Sequence, residues 1–280
     1  MRRIGIVGLG LIGASVALAA RRAWPTVWIG GVERDEWPRD RHRGLVDAFC
    51  TTRDLVDVDL IVLAAPVAAN IQRLGELAET RRPLLVTDVG GTKGAMLNAA
   101  TLLDGSLIFV GGHPMAGAEL SGPAHARADL FDGHPWFVVP GPRTADEDLQ
   151  RVETCVRMLG AKPVCIDADT HDRLMALISH VPQIVASVLM QVVGERARAD
   201  GLAFAGRGLV DTTRLAAASS EWLASVIDTN ADHIGAALDD VIAQLQKIRT
   251  EIGEGRSVED LFEQASTWRE VLLDRRRAME

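Results

Sequence analysis

Short apolar runs alternate with helix-compatible stretches through the first part of this chain. The runs are Ile4–Val7, Val27–Val32, Leu60–Ala64, Leu84–Thr87 and Leu107–Val110. Such continuous runs mark strands buried on both faces, and the stretches between them (Leu11–Arg22, Asn70–Glu79, Gly94–Leu103) carry apolar residues at helical spacing. The alternation predicts a parallel sheet covered by helices. Two later runs, Trp136–Val139 and Pro163–Ile166, add strands on either side of a helix over Asp146–Leu159.

After Asp169 the strand signals stop. Thr170 is positioned as an N-cap for a long apolar helix from about His171 to Arg198, and Pro182 inside it predicts a kink, because proline removes one backbone hydrogen bond and crowds the preceding turn. A second long helix is expected over Glu221–Ile252, with Ile234, Leu238, Val241, Ile242, Leu245, Ile248 and Ile252 on one face, ended by Gly253. A last helix starts near Ser257, with Asp260 as capping-box partner and Leu261, Phe262, Ala265, Trp268 and Leu272 along one stripe. The expected organisation is therefore an α/β Rossmann-like dinucleotide-binding domain over residues 1–168, followed by an all-α helical domain over 169–280.

Composition narrows the function. A formal charge of −8 over 280 residues, with no basic patch interleaved with aromatics, argues against a nucleic-acid partner. No uninterrupted apolar run reaches the roughly 18 residues of a membrane span, and glycines break up the apolar start that follows Arg2-Arg3. These features lead to the expectation of a cytoplasmic protein with no membrane partner. Cys50, Cys155 and Cys165 form neither a CxxC nor a cluster with histidines, so they are expected as small buried hydrophobes in a reducing compartment, with no metal site. The chain has no tyrosine.

The first strand runs into Gly8-Leu9-Gly10-Leu11-Ile12-Gly13, a G-x-G-x-x-G placed between a strand and a helix. Gly8 permits a tight turn, Gly10 lets backbone approach a pyrophosphate, and Gly13 lets the helix pack close to the strand. The helix start at Leu11 and Ile12 offers unpaired N–H groups and a positive dipole end to the phosphates. The second strand ends in Glu33, twenty positions after Gly13. A carboxylate there bonds the adenosine ribose hydroxyls and repels a 2′-phosphate, which favours NAD. Arg34 beside it keeps NADP open as the alternative. Ala65 and Pro66, after a later strand, line the same crevice.

Two polar segments also follow strand ends, where open α/β sheets place ligands. One is Asp88-Val89-Gly90-Gly91-Thr92-Lys93-Gly94, in which Gly90 is a cofactor-binding candidate. The other runs from Gly111 through His113, Pro114 and Glu119 to Gly122. A histidine framed by glycines and proline points to function more than one on an apolar face.

With these residues in view, the chain resembles the prephenate dehydrogenase family, enzymes of tyrosine biosynthesis that act on prephenate or arogenate. The resemblance runs almost end to end. It rests on Gly8–Ser15, Asp88–Gly94, Gly112-His113-Pro114-Met115-Ala116-Gly117, Ser179-His180-Val181-Pro182 and Asp211-Thr212-Thr213-Arg214. It implies that His113 accepts the proton of the C4 hydroxyl as hydride leaves for NAD, a task suited to an imidazole of ordinary pKa near 6.5. It also implies that Arg214 holds a substrate carboxylate, for which the planar guanidinium fork is suited. The apolar faces of the long helices, more than one small Rossmann domain can cover, predict that the helical domain is a dimerisation domain. His180 and Gln183, three apart on one helix, fall on nearly the same face and become substrate-binding candidates.

Two positions depart from the family pattern. Many members have a serine where this chain has Gly91, so Thr92 or a water must substitute, or the contact is missing. The position of Gln183 is often a second histidine. Glutamine both donates and accepts, and so suits either the keto acid of prephenate or the amino acid of arogenate. Glu119 is placed to pair with an ammonium. The expected function is oxidative decarboxylation of prephenate with NAD by a homodimer. The alternatives are arogenate or 4-amino-4-deoxyprephenate as the small-molecule substrate, a non-catalytic NAD-binding sensor, or another Rossmann reductase with a helical domain.

Overall fold

The computed structural model describes residues 1–33, 44–103, 105, 107–117 and 122–277. Arg34 and Glu119, both singled out above, lie outside the described residues. The chain forms two compact units. The first comprises Met1–Met175 with Ser220–Asn230, and the second Ala176–Ser219 with Ala231–Glu280.

The first unit is built on an eight-stranded sheet. Its strands are β1 (Arg3–Val7), β2 (Trp28–Val32), β3 (Ala48–Phe49), β4 (Leu60–Leu63), β5 (Leu84–Asp88), β6 (Leu107–Pro114), β7 (Pro135–Pro140) and β8 (Lys162–Cys165), in the order β3-β2-β1-β4-β5-β6-β7-β8. Helices α1 (Leu11–Ala23), α2 (Val67–Ala78), α3 (Gly94–Leu102) and α4 (Asp146–Met158) connect them. Successive strand residues face opposite sides, so the sheet has two cores. Ile4, Ile6, Leu60 and Val62 pack on one face with α1 and α4, and Val7, Ile61 and Leu63 pack on the other with α2 and α3.

The sheet is mixed rather than wholly parallel. β7 runs antiparallel to β6, with Gly112 opposite Val138 and His113 opposite Phe137, and β8 is parallel to β7. A parallel neighbour needs a crossover, usually a helix. The link from β6 to β7 contains a short 3₁₀ turn at Pro123–His125 and no α-helix among its described residues. The antiparallel pairing also lengthens β6 past Val110, so that His113 lies in a strand instead of a loop. The two-residue β3 had no counterpart in the hydrophobic pattern. Cys155 is buried as expected, and burial pushes its thiol up to about 12. Cys165, on the edge strand β8, is exposed, contrary to expectation.

Beyond β8 the predicted single kink at Pro182 is a wider irregularity. Helix α5 (Ala168–Met175) passes into a π-turn at Ala176–His180 and then into α6 (Val181–Leu202). A π-turn just ahead of the proline relieves the clash its ring makes with the preceding turn, and such turns recur at functional sites. The helical stretch Ala168–Leu202 is long and apolar enough to cross a membrane by length and composition alone, although no uninterrupted apolar run in it is. Helices α7 (Arg207–Thr213), α8 (Ser220–Gly253) and α9 (Glu259–Arg277) complete the chain. The pattern that predicted α8 missed a break at Asn230, where φ is −143° and ψ 31°. The second unit has a small core of Ala176, Val181, Ile234 and Ala237. Leu245, Ile252, Phe262, Trp268 and Leu272, read from the sequence as an apolar face, are exposed on this chain.

Candidate active site

The order β3-β2-β1-β4-β5-β6 reverses direction between β1 and β4, and a crevice opens there at the carboxyl ends of the strands. The glycine fingerprint occupies that edge. Gly8, at φ +90°, turns the chain out of β1 while its N–H donates to the Val32 carbonyl at 2.8 Å. A Cβ on Gly8 would press on the backbone of Ala64 at 2.8 Å, and one on Gly13 would collide with the Gly8 carbonyl. Gly10 differs, because a Cβ there meets nothing within 4 Å. The space beside Gly10 is what a pyrophosphate needs, and α1 begins at Leu11 with no side-chain cap and no acidic residue in its first turn. The residues therefore fit a dinucleotide.

Glu33 accepts the Leu9 N–H at 2.7 Å, which ties the end of β2 to the glycine loop. On the far side of the crevice, Ala65 and Pro66 lead into α2. The buried Asn70 side chain donates to the Ala65 carbonyl at 2.8 Å and accepts the Ala65 N–H at 3.2 Å, fixing that turn. Gly10→Ala is expected to keep stability within about 0.5 kcal/mol, because the position has ordinary extended geometry (φ −69°, ψ −163°) and open space. The same change should weaken NAD⁺ binding by about tenfold or more, since only the dinucleotide competes for that volume. Urea unfolding and calorimetric titration check the two halves separately.

Two strands along, the loop after β5 folds back on itself. Lys93 is wholly buried, and its ammonium donates to Asp88 Oδ2 at 2.5 Å and to the Gly112 carbonyl at 2.6 Å. Asp88 also accepts the N–H groups of Gly90 (3.0 Å) and Gly112 (2.9 Å). Burial pulls the Lys93 ammonium below its ordinary range, opposed by the attraction of Asp88. The pair thereby clamps the end of β6 one residue before His113.

His113 itself is held from α5. Its Nδ1 lies 2.9 Å from His171 Nε2, and His171 Nδ1 lies 2.8 Å from Asp172 Oδ1. Asp172 also accepts the N–H groups of Lys93 and Gly94 at the start of α3, each at 2.8 Å. Burial alone would raise the Asp172 carboxyl, yet the bonds from His171, Gly94 and Lys93 outweigh it and leave the group below its ordinary value. The stability this contributes is complete above about pH 4 and is lost as the pH falls through the lower folded value. The Phe137 ring, opposite His113 on β7, meets the His171 ring edge-on at 5.3 Å.

The sequence singled out His113 but not His171, Asp172, Lys93 or Asp88. Thr92, proposed as a stand-in for the family serine, is fully buried and bonded to Thr229 at 2.8 Å. Thr229 in turn donates to the Ser225 carbonyl at 2.7 Å, so the Thr92 proton is committed to Thr229. At Gly91 itself an added Cβ would meet nothing closer than Val226 at 3.8 Å. His180, Gln183 and Arg214 belong to the second unit. His180 is buried at the end of the π-turn, and Gln183 follows in the first turn of α6, its side-chain oxygen buried with no hydrogen-bond partner among the described residues. Arg214 opens a 3₁₀ turn after α7.

A dinucleotide crevice with a histidine at the same sheet edge defines a nucleotide-dependent dehydrogenase. Comparison with known proteins gives the family. Residues 16–165 match the prephenate dehydrogenase nucleotide-binding domain, and residues 167–266 match the prephenate dehydrogenase dimerisation domain. A prephenate dehydrogenase of Lactococcus lactis is 31% identical over 97% of this chain and 78% of its own length. A cyclohexadienyl dehydrogenase of Zymomonas mobilis is 31% identical over 90% of this chain and 88% of its own. The solved structure of Synechocystis arogenate dehydrogenase superposes with a TM-score of 0.83 at 29% identity, covering 96% of this chain and 99% of that one. The chain belongs to the prephenate dehydrogenase family.

Proposed function

We propose that this chain oxidatively decarboxylates prephenate to 4-hydroxyphenylpyruvate and CO₂, with NAD⁺ as its cofactor. The observation that carries the reading is His113, fixed at the carboxyl edge of the sheet by His171 from one side and by the Lys93–Asp88 clamp from the other. NAD⁺ bound along Gly8–Gly13, Glu33, Ala65, Pro66 and Gly90 supplies a hydride acceptor. His113 takes the C4 hydroxyl proton, and Arg214 pairs with a substrate carboxylate. Loss of CO₂ aromatises the ring, so the protein has chiefly to orient the substrate.

Residues 1–168 serve cofactor binding, and 169–280 serve substrate binding and assembly. The exposed Val188, Val192, Leu245, Phe262 and Trp268 support a homodimer, because a second copy can cover apolar area that one chain leaves in water. We place the protein in the cytoplasm, with a small molecule as substrate and no nucleic-acid or membrane partner.

Arogenate is the second reading, favoured by the buried Gln183 oxygen, which has no hydrogen-bond partner among the described residues. An ammonium would satisfy that acceptor, and a keto group would not. NADH formation followed at 340 nm, with prephenate and arogenate offered separately, tests both. Turnover of prephenate carries the first reading, and preference for arogenate carries the second. Turnover of neither, with NAD⁺ bound, removes both.

A further inference from the structure

We infer that His171 and Asp172 form a positioning relay that fixes the tautomer of His113, leaving the lone pair on its Nε2. The inference rests on the reading of His113 as the proton acceptor and assigns the residues that make it one. Asp172 is ionised, held below its ordinary range by three donors, so it can only accept. The hydrogen between it and His171 therefore sits on His171 Nδ1. A second proton on His171 would put a cation in a fully buried position, where the neighbouring Asp172 charge is already met by the Lys93 and Gly94 backbone N–H groups. In the relay, His171 Nε2 offers its lone pair to His113 Nδ1 across 2.9 Å. His113 must then carry its hydrogen on Nδ1.

An unassisted imidazole favours the opposite tautomer, with hydrogen on Nε2, in which that nitrogen cannot accept a proton. The relay removes this unproductive form. When Nε2 takes the substrate proton, the resulting imidazolium keeps donating through Nδ1 to His171, whose own Nδ1–H keeps donating to Asp172. One proton moves from substrate oxygen to His113 as hydride leaves C4 for NAD⁺ and CO₂ is lost, and within the relay itself no N–H bond need break. The rings are also fixed in orientation, with His113 and His171 at 69° and centroids 5.2 Å apart, and with Phe137 braced against the His171 edge. His171 and Asp172 are positioning residues, since neither is required to touch substrate.

Nitrogen-15 NMR of the histidine-labelled full chain, with His113 assigned by its loss in His113→Asn, reads the tautomer without reference to activity. The expected result is hydrogen on His113 Nδ1 in the unaltered protein and a shift toward Nε2 in His171→Phe. In kinetics, His171→Phe should lower kcat at least about tenfold with KM for substrate and Kd for NAD⁺ within about threefold, and His171→Gln should recover most of the loss, because an amide can donate to Asp172 and accept from His113. Hydrogen on His113 Nε2 in the unaltered protein overturns the relay. So does full turnover in a folded His171→Phe. Should His171→Phe fail to fold, the unaltered protein and His171→Gln still decide. Absence of prephenate and arogenate turnover with the Nδ1 tautomer present would count against the proposed reaction and leave the relay standing.

Discussion

His113→Asn is expected to reduce kcat by about 10²- to 10⁴-fold, the range that loss of a positioned general base removes. Asparagine keeps a polar group near the place of the imidazole but cannot accept a proton at neutral pH. Affinity for NAD⁺ should stay within a factor of about two, because the fingerprint at Gly8–Gly13 lies on β1 and α1 while His113 sits on β6, three strands away in the sheet order β1-β4-β5-β6. Steady-state kinetics and cofactor titration on the same preparation separate the two quantities. Turnover within tenfold of the unaltered enzyme would remove His113 from the proton-transfer role.

Lys93→Met is the largest expected effect on stability, a loss of about 3–5 kcal/mol. The ammonium is wholly buried against Asp88 and the Gly112 carbonyl. Removing it leaves a buried carboxylate with two backbone N–H donors and no countercharge. The double change Lys93→Met with Asp88→Asn should recover part of the loss, because removing both charges costs less than stranding one. Urea unfolding midpoints of the single and double variants measure the coupling. A single-variant loss under about 1 kcal/mol would show that the clamp is not under electrostatic load. The clamp also bears on chemistry. It grips Gly112, so its release should lower kcat through a displaced His113 even where the variant remains folded.

Much of the cofactor half was legible in the sequence because its signals are local. A strand, three spaced glycines, a helix and an acidic residue at the end of the next strand all fall within Ile4–Glu33. The direction of β7 was not legible, since an apolar run such as Trp136–Val139 reads the same in either sense. The absence of helical pattern between Pro114 and Pro135 was the signal that a parallel crossover was missing. The π-turn at Ala176–His180 was half visible, for Pro182 marks the disturbance but not how the helix absorbs it.

His171 and Asp172 were hidden for a different reason. They stand at the start of a helix, where His-Asp reads as ordinary polar capping, and their partner His113 is 58 residues away in the chain. Lys93 stands in a glycine-rich polar segment whose sequence does not show that the fold returns Gly112 to it. Asn230 breaks α8 and donates to the Asp172 carbonyl at 2.8 Å, a demand that helical periodicity does not carry. Contacts of this kind depend on which strand ends meet, and that is settled by the sheet order.

The central claim is that this chain couples oxidation of a ring hydroxyl to loss of CO₂. The most direct measurement is the ratio of CO₂ released to NADH formed, taken on one sample with prephenate as substrate and corrected for spontaneous decarboxylation. The account predicts one for one, with both products falling together in His113→Asn. NADH formed without CO₂, or CO₂ released without NADH above the spontaneous rate, would contradict it.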